Sequence, residues 1–204
     1  MTASAAAAAR RARWLLGATL AWNLLEALLS LGAGIGAGSI ALVGFGFDSI
    51  IESVAAGLVL WRFTSELAKR TPEAADDLEQ TVHQFVGVTF FALGVYVTMQ
   101  AGWTLWQGDA PERSPLGITI AALSLLVMPL LARAKLRTAD TLGSDALRAE
   151  AKESLACAWL SATVLVGLLA NAALGWWWAD PIAALVMVPW LFKEGHESFF
   201  GDED

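Results

Sequence analysis

The sequence predicts an all-α, polytopic membrane protein with six transmembrane helices. Three observations carry that expectation. Of 204 residues, 56% are hydrophobic and only 16% are charged, where an ordinary soluble domain is nearer one-quarter charged. Apolar runs that reach the roughly 20 residues needed to cross the hydrocarbon recur along the chain, separated by short polar breaks. Lys and Arg then gather in alternate breaks, as the positive-inside rule requires of a bundle with an even number of spans.

Taken in order, the spans are expected at 14–34, 38–62, 80–106, 115–134, 145–171 and 176–193. Arg10, Arg11 and Arg13 precede the first. Arg62, Lys69 and Arg70 follow the second, and Arg133, Lys135, Arg137 and Arg148 lie around the break between the fourth and fifth, with Lys193 after the sixth. Only Arg113 stands on the opposite side, so both termini are expected in the cytoplasm of a multi-pass cell-membrane protein. Residues 1–13 then form a cytoplasmic N-terminal tail, 14–193 the transmembrane domain, and 194–204 a short acidic cytoplasmic tail.

The arginines ahead of the first apolar run resemble the start of a signal peptide, but that run contains Glu26 and continues into further spans, so an uncleaved first helix is expected. Trp61, Trp103, Trp106 and the run Trp176, Trp177, Trp178 fall near helix ends, where amphipathic rings prefer the headgroup zone. Gly32, Gly34, Gly36 and Gly38 are expected to make a tight external turn, and Gly44 and Gly46 to allow close helix packing. The string GAGIGAG follows no strand, so it is not a nucleotide-binding loop.

Net charge of −7 comes from loop and tail acids, and no basic cluster with interleaved aromatics exists to bind nucleic acid. The lipid bilayer is the implied partner. One cysteine, Cys157, excludes an intrachain disulfide.

Chemistry is concentrated in few residues. From Trp14 to Trp61 the three ionisable residues are all acids: Glu26, Asp48 and Glu52. Carboxylates at membrane depth are costly and mark ion paths or polar cavities. Asp48 and Glu52 are four apart and share a helix face. With no base nearby, they read as a site for a cation rather than as a salt bridge.

A divalent ion needs further ligands at the same depth, and Glu153 and Cys157 repeat the four-residue spacing on the fifth span. By a rise of about 1.5 Å per residue, Glu52 lies roughly 15 Å from Arg62, and Glu153 and Cys157 about 8 and 14 Å beyond Arg148. The two pairs thus approach one level, somewhat to the cytoplasmic side of the midplane.

Each residue also has a plainer reading. Asp48 and Glu52 could hydrogen-bond within a polar core. Glu153, near Arg148, Glu150 and Lys152, could belong to an interfacial charge cluster. Cys157 could be a small buried hydrophobe. Glu26 is open between a supporting partner of a ligand, a proton carrier and an acid on the access path. His83 and His196 read as interfacial, and Asp76, Asp77 and Glu79 as a solvated loop face that could concentrate cations at the cytoplasmic mouth.

These residues resemble the cation diffusion facilitator (cation efflux) family. GSIALVGFGFDSIIES is similar to the family's second-helix segment, with Asp48 and Glu52 at its ligand positions. SDALRAEAKESLACAWLS is similar to the fifth-helix segment, and WADPIAAL to the start of the sixth, with Asp180 at a typical aspartate. The resemblance implies six helices with cytoplasmic termini, a metal site at Asp48, Glu52, Glu153 and Cys157, a homodimer, and proton-coupled export. Common zinc transporters of the family carry aspartates on the second helix and a His/Asp pair on the fifth. Here the pairs are Asp/Glu and Glu/Cys, and the chain stops where a cytoplasmic metal-binding domain usually follows.

The donor set adds its own chemistry. Carboxylates with a thiol suit zinc first, then iron, cobalt or manganese. A divalent ion that binds such groups expels their protons, so alternating exposure of the site would exchange metal for protons. Metal and protons are thus the expected substrates, with no permanently bound cofactor. An intramembrane protease would need a nucleophile–His pair or a HExxH-type helix, which this chain lacks, so it is not expected to be an enzyme. The alternative is a non-transporting membrane protein, a regulatory or assembly partner that keeps the fold.

Overall fold

A computed structural model describes residues 3–64 and 72–200, and within them all side chains except those of residues 3–6, 63, 72–79, 82 and 83. Six helices account for nearly all of it: α1 Ala3–Ala37, α2 Ile40–Thr64, α3 Pro72–Gln107, α4 Pro115–Leu142, α5 Asp145–Leu174 and α6 Ala179–Phe200. No strand occurs among the described residues. Helices α1 to α5 are each long and apolar enough to cross a membrane. The apolar run of α6 is shorter, bounded by Asp180 at one end and by Lys193 and Glu194 at the other.

Every helix outruns its expected span at one end or both. Hydropathy marks only the stretch that crosses hydrocarbon, whereas backbone hydrogen bonding continues into the flanking alanine-rich and polar sequence. Residues 3–13 therefore extend α1 and residues 194–200 extend α6. The expected loop acids Asp76, Asp77 and Glu79 fall on the first turns of α3. Their side chains, and that of His83, lie outside the described residues.

Ends are set by local chemistry. Ser114 caps α4 by accepting the Gly117 N–H at 3.1 Å, with Pro115 at the first helical position, where its missing N–H costs nothing. Ser144 caps α5 by accepting from Leu147 N–H at 3.3 Å. The residue between α4 and that cap, Gly143, takes φ 62°, the left-handed conformation that closes helix C-termini.

The glycine stretch behaves differently from the expected turn. α1 runs straight through Gly32, Gly34 and Gly36, and Gly38 alone takes the left-handed conformation, at φ 66°. The other glycines serve packing. A Cβ on Gly34 would sit 2.9 Å from the backbone nitrogen of Val43, and one on Gly46 would sit 3.0 Å from that of Leu31. Missing side chains on both partners let α1 and α2 meet closely enough to share buried polar contacts.

α1 pairs most extensively with α2, α4 with α5, and α3 with α6. The last pair touches at Gly87 and Gly195, where a Cβ on Gly87 would meet the Gly195 carbonyl at 2.8 Å. α2 contacts α1, α3, α5 and α6, so its inner face is the centre of the bundle. Phe45, Leu42, Met128, Leu160 and Met187 fill the core around it. The tryptophans expected near the ends are largely exposed, including Trp103, Trp106, Trp176 and Trp178, the last two stacked at 5.1 Å.

Candidate metal centre

Asp48 and Glu52 project from the buried face of α2, and Cys157 from the buried face of α5. All three side chains are inside the protein, at 1%, 7% and 0% exposure. One potential ligand atom from each lies within 4.8 Å of the other two. Ligand atoms around tetrahedral zinc stand about 3.5 Å apart, given Zn–O near 2.1 Å and Zn–S near 2.3 Å. Small side-chain rotations would close that difference.

The three differ in their hydrogen bonding. Asp48 Oδ2 is buried and has no protein partner. Glu52 Oε2 accepts from Asn23 Nδ2 of α1 at 3.1 Å. The Cys157 thiol is 3.5 Å from Glu26 Oε1, to which it donates. Buried carboxylates without a matching cation are costly, so this arrangement favours a positively charged guest.

Glu153, the fourth residue expected at the site, stands outside the tight group. It is half-buried one turn before Cys157, and its carboxyl contacts that of Glu194 on α6 while lying within electrostatic reach of Asp48 and Glu52. Glu194 was hidden in the sequence, because KEGHE reads as the start of a polar tail. Its only readable signal is its place on the face of Met187 and Leu191, seven and three residues earlier, in a helix that continues past Lys193. In the structure it is 6% exposed and faces the bundle.

Glu26 is fully buried and acts as a hub. Its Oε1 accepts from Ser49 Oγ at 2.6 Å and from Cys157, and its Oε2 accepts from Trp22 Nε1 at 2.9 Å and from Ser124 Oγ. Four helices thus meet on one carboxylate: α1, α2, α4 and α5. Asn23 and Glu26 belong to a buried polar file on α1, with Thr19 and Ser30 above and below.

Two other acids are spoken for. Glu150 pairs with Lys135, whose ammonium also donates to Ser154 Oγ at 2.7 Å and to the Glu150 carbonyl at 3.1 Å. Asp180 lies at the Ile40 end of α2 and accepts the Ser39 hydroxyl and the Ile40 N–H, so it caps a helix instead of facing the cluster. His196 is exposed and packs on Phe200, away from these acids.

Comparison with known proteins agrees with this architecture. Residues 16–200 match the model of the cation efflux transmembrane domain. Over 174 residues the chain is 29% identical to metal tolerance protein 4 of Oryza sativa subsp. japonica, an alignment covering 81% of this chain. It spans 42% of the length of that relative. With the match to the family model running from the first helix through the last, the chain belongs to the cation efflux, or cation diffusion facilitator, family.

Proposed function

We propose that the protein is a divalent metal transporter that exports zinc, or a similar transition metal, in exchange for protons. Its site is built from Asp48, Glu52, Glu153 and Cys157. The observation that supports this most is the approach of three buried ligand atoms from α2 and α5 to within 4.8 Å, with an oxygen of Asp48 left unpartnered. The name of the rice relative points to metals in the same way.

Asp48, Glu52 and Cys157 supply three donors. Glu153 turns from Glu194 to supply a fourth, or a water does so. Thiolate favours zinc over manganese, and the carboxylates keep iron, cobalt and manganese within range. Metal entering from the cytoplasmic side displaces protons from these groups, and protons returning from the other side release it. α3 and α6 pack chiefly on each other, and the ligand helices α2 and α5 pack within the remaining bundle. Rocking of one unit against the other would expose the site alternately. The protein works in the cell membrane with both termini cytoplasmic, as a homodimer.

Transport by the protein in proteoliposomes tests the reading. Zinc uptake with counterflow of protons is expected, and Asp48→Ala and Glu52→Ala should each abolish it. Uptake that survives both substitutions overturns the site. Absence of uptake by the wild-type protein, with no zinc binding, leaves the non-transporting alternative.

A further inference from the structure

Asn23 and Glu26 are the most constrained polar side chains of α1, and each is bonded to a different half of the proposed metal site. Asn23 gives its amide N–H to Glu52 of α2, and Glu26 receives the thiol of Cys157 of α5. They are three residues apart, hence on one face of α1, and their side chains are 1% and 0% exposed. Burial at membrane depth is unfavourable unless bonds are satisfied; both oxygens of Glu26 meet that condition, whereas Asn23 is bonded through Nδ2 alone and its Oδ1 has no protein partner.

The bonding of Glu26 decides among the roles open to it. An ionised carboxylate offers about four lone-pair positions. Ser49 and Cys157 occupy those of Oε1, and Trp22 and Ser124 those of Oε2. While the Cys157 thiol keeps its proton, no position is left for a cation. Asp48 presents the contrast, with a buried oxygen that no protein donor meets. Glu26 is therefore anchored and Asp48 is available.

Resting on the metal-site reading above, we infer that α1 is the frame of the site. Asn23 and Glu26 are positioning residues that fix Glu52 and Cys157 relative to each other, without ligating the metal. Asn23 holds one oxygen of Glu52 and so turns the other toward the cation. Glu26, itself fixed by Ser49, Ser124 and Trp22, accepts from the Cys157 thiol and so keeps its sulfur beside Asp48 and Glu52 until metal displaces the thiol proton. Two ligand pairs on separate helices are thereby set by one rigid face of a third. Partners of this kind, one bond removed from the metal, typically change metal affinity 10–100-fold when lost.

Cobalt(II) is a suitable probe, because a bound thiolate gives a sulfur-to-cobalt charge-transfer band that carboxylates do not. The purified full chain should bind cobalt and show this band, and Cys157→Ser should remove it. Asn23→Ala should weaken cobalt binding by about 10–100-fold while leaving the band per bound cobalt unchanged. Glu26→Gln should weaken binding to a similar degree and also diminish or shift the band.

Ser124→Ala removes one donor to Glu26 and touches no ligand, so it reads the same effect in a milder form if Glu26→Gln does not fold. It should shift the band with little loss of affinity. A purely structural role would lower thermal stability in these variants without altering the spectrum of bound cobalt. Wild-type affinity and an unchanged band in both Glu26→Gln and Ser124→Ala would overturn the frame. A wild-type protein that binds no cobalt, or a band that survives Cys157→Ser, would instead overturn the metal site on which it rests.

Discussion

Asp180, in the first turn of α6, accepts a hydrogen bond from Ser39 at 2.5 Å across the start of α2. The same carboxylate takes the Ile40 N–H at 2.9 Å and the Ala41 N–H at 3.4 Å. A helix leaves its first four N–H groups without partners. Here a neighbouring helix supplies the acceptor, while Ser39 also accepts from Leu42 N–H at 3.2 Å. The second and sixth helices are joined at the head of the helix that carries Asp48 and Glu52.

Asp180→Ala should therefore destabilise the protein by about 1–3 kcal/mol, the usual cost of stranding buried donors. Asp180→Asn keeps one acceptor oxygen and should lose less. Thermal unfolding in detergent measures both, with metal titration as the companion assay. An unchanged midpoint for Asp180→Ala would mean that water replaces the cap without loss.

Cys157→Ser should separate the metals. Sulfur contributes to zinc far more than to manganese, which prefers oxygen donors. Zinc affinity is expected to fall by at least about tenfold, the lower end of what losing even a supporting partner costs at metal sites. Manganese affinity should stay nearly constant. Isothermal titration with zinc, manganese, iron and cobalt decides the matter. If no metal responds, Cys157 is packing alone.

Binding should also depend on pH in a defined direction. Carboxyl and thiol groups bind a cation in their deprotonated forms, so acid competes with metal and affinity must rise with pH. For each proton displaced, the apparent Kd falls about tenfold per pH unit while the free site is protonated. Titration in buffers of differing ionisation enthalpy counts the protons released on zinc binding. Zinc affinity that stays flat between about pH 6 and 8 would sink proton exchange at this site.

How far these features are legible in the sequence depends on whether they leave an isolated signal. Helices show themselves because the bilayer demands long apolar runs. Asp48 and Glu52 stand out because nothing else between Trp14 and Trp61 is ionisable except Glu26. The setting of Glu26 does not stand out, since Ser49, Ser124 and Trp22 are ordinary residues of an apolar helix until packing brings them together. Glu194 is concealed by Lys193 beside it, and with it the contact that Glu153, readable from its spacing to Cys157, makes outside the tight group. A glycine run looks like a turn because spacing cannot distinguish positive φ from close packing. Only Gly38 needs the former.

Lys135 illustrates the same limit and carries the most severe expected effect. Read along the chain it is one of several cytoplasmic charges, but in the structure it is fully buried, paired with Glu150 and bonded to Ser154. Removing one member of such a pair leaves a bare buried charge, which costs about 3–5 kcal/mol. Lys135→Met should thus lower the unfolding midpoint sharply, and Glu150→Leu should do likewise. Replacing both together removes the stranded charge, so the double variant should recover most of the loss, as replacement of buried pairs by apolar residues commonly does. A double-mutant cycle on thermal stability measures this. Additive losses would show that Lys135 and Glu150 act independently, and that the bond joining α4 to α5 contributes nothing as a pair.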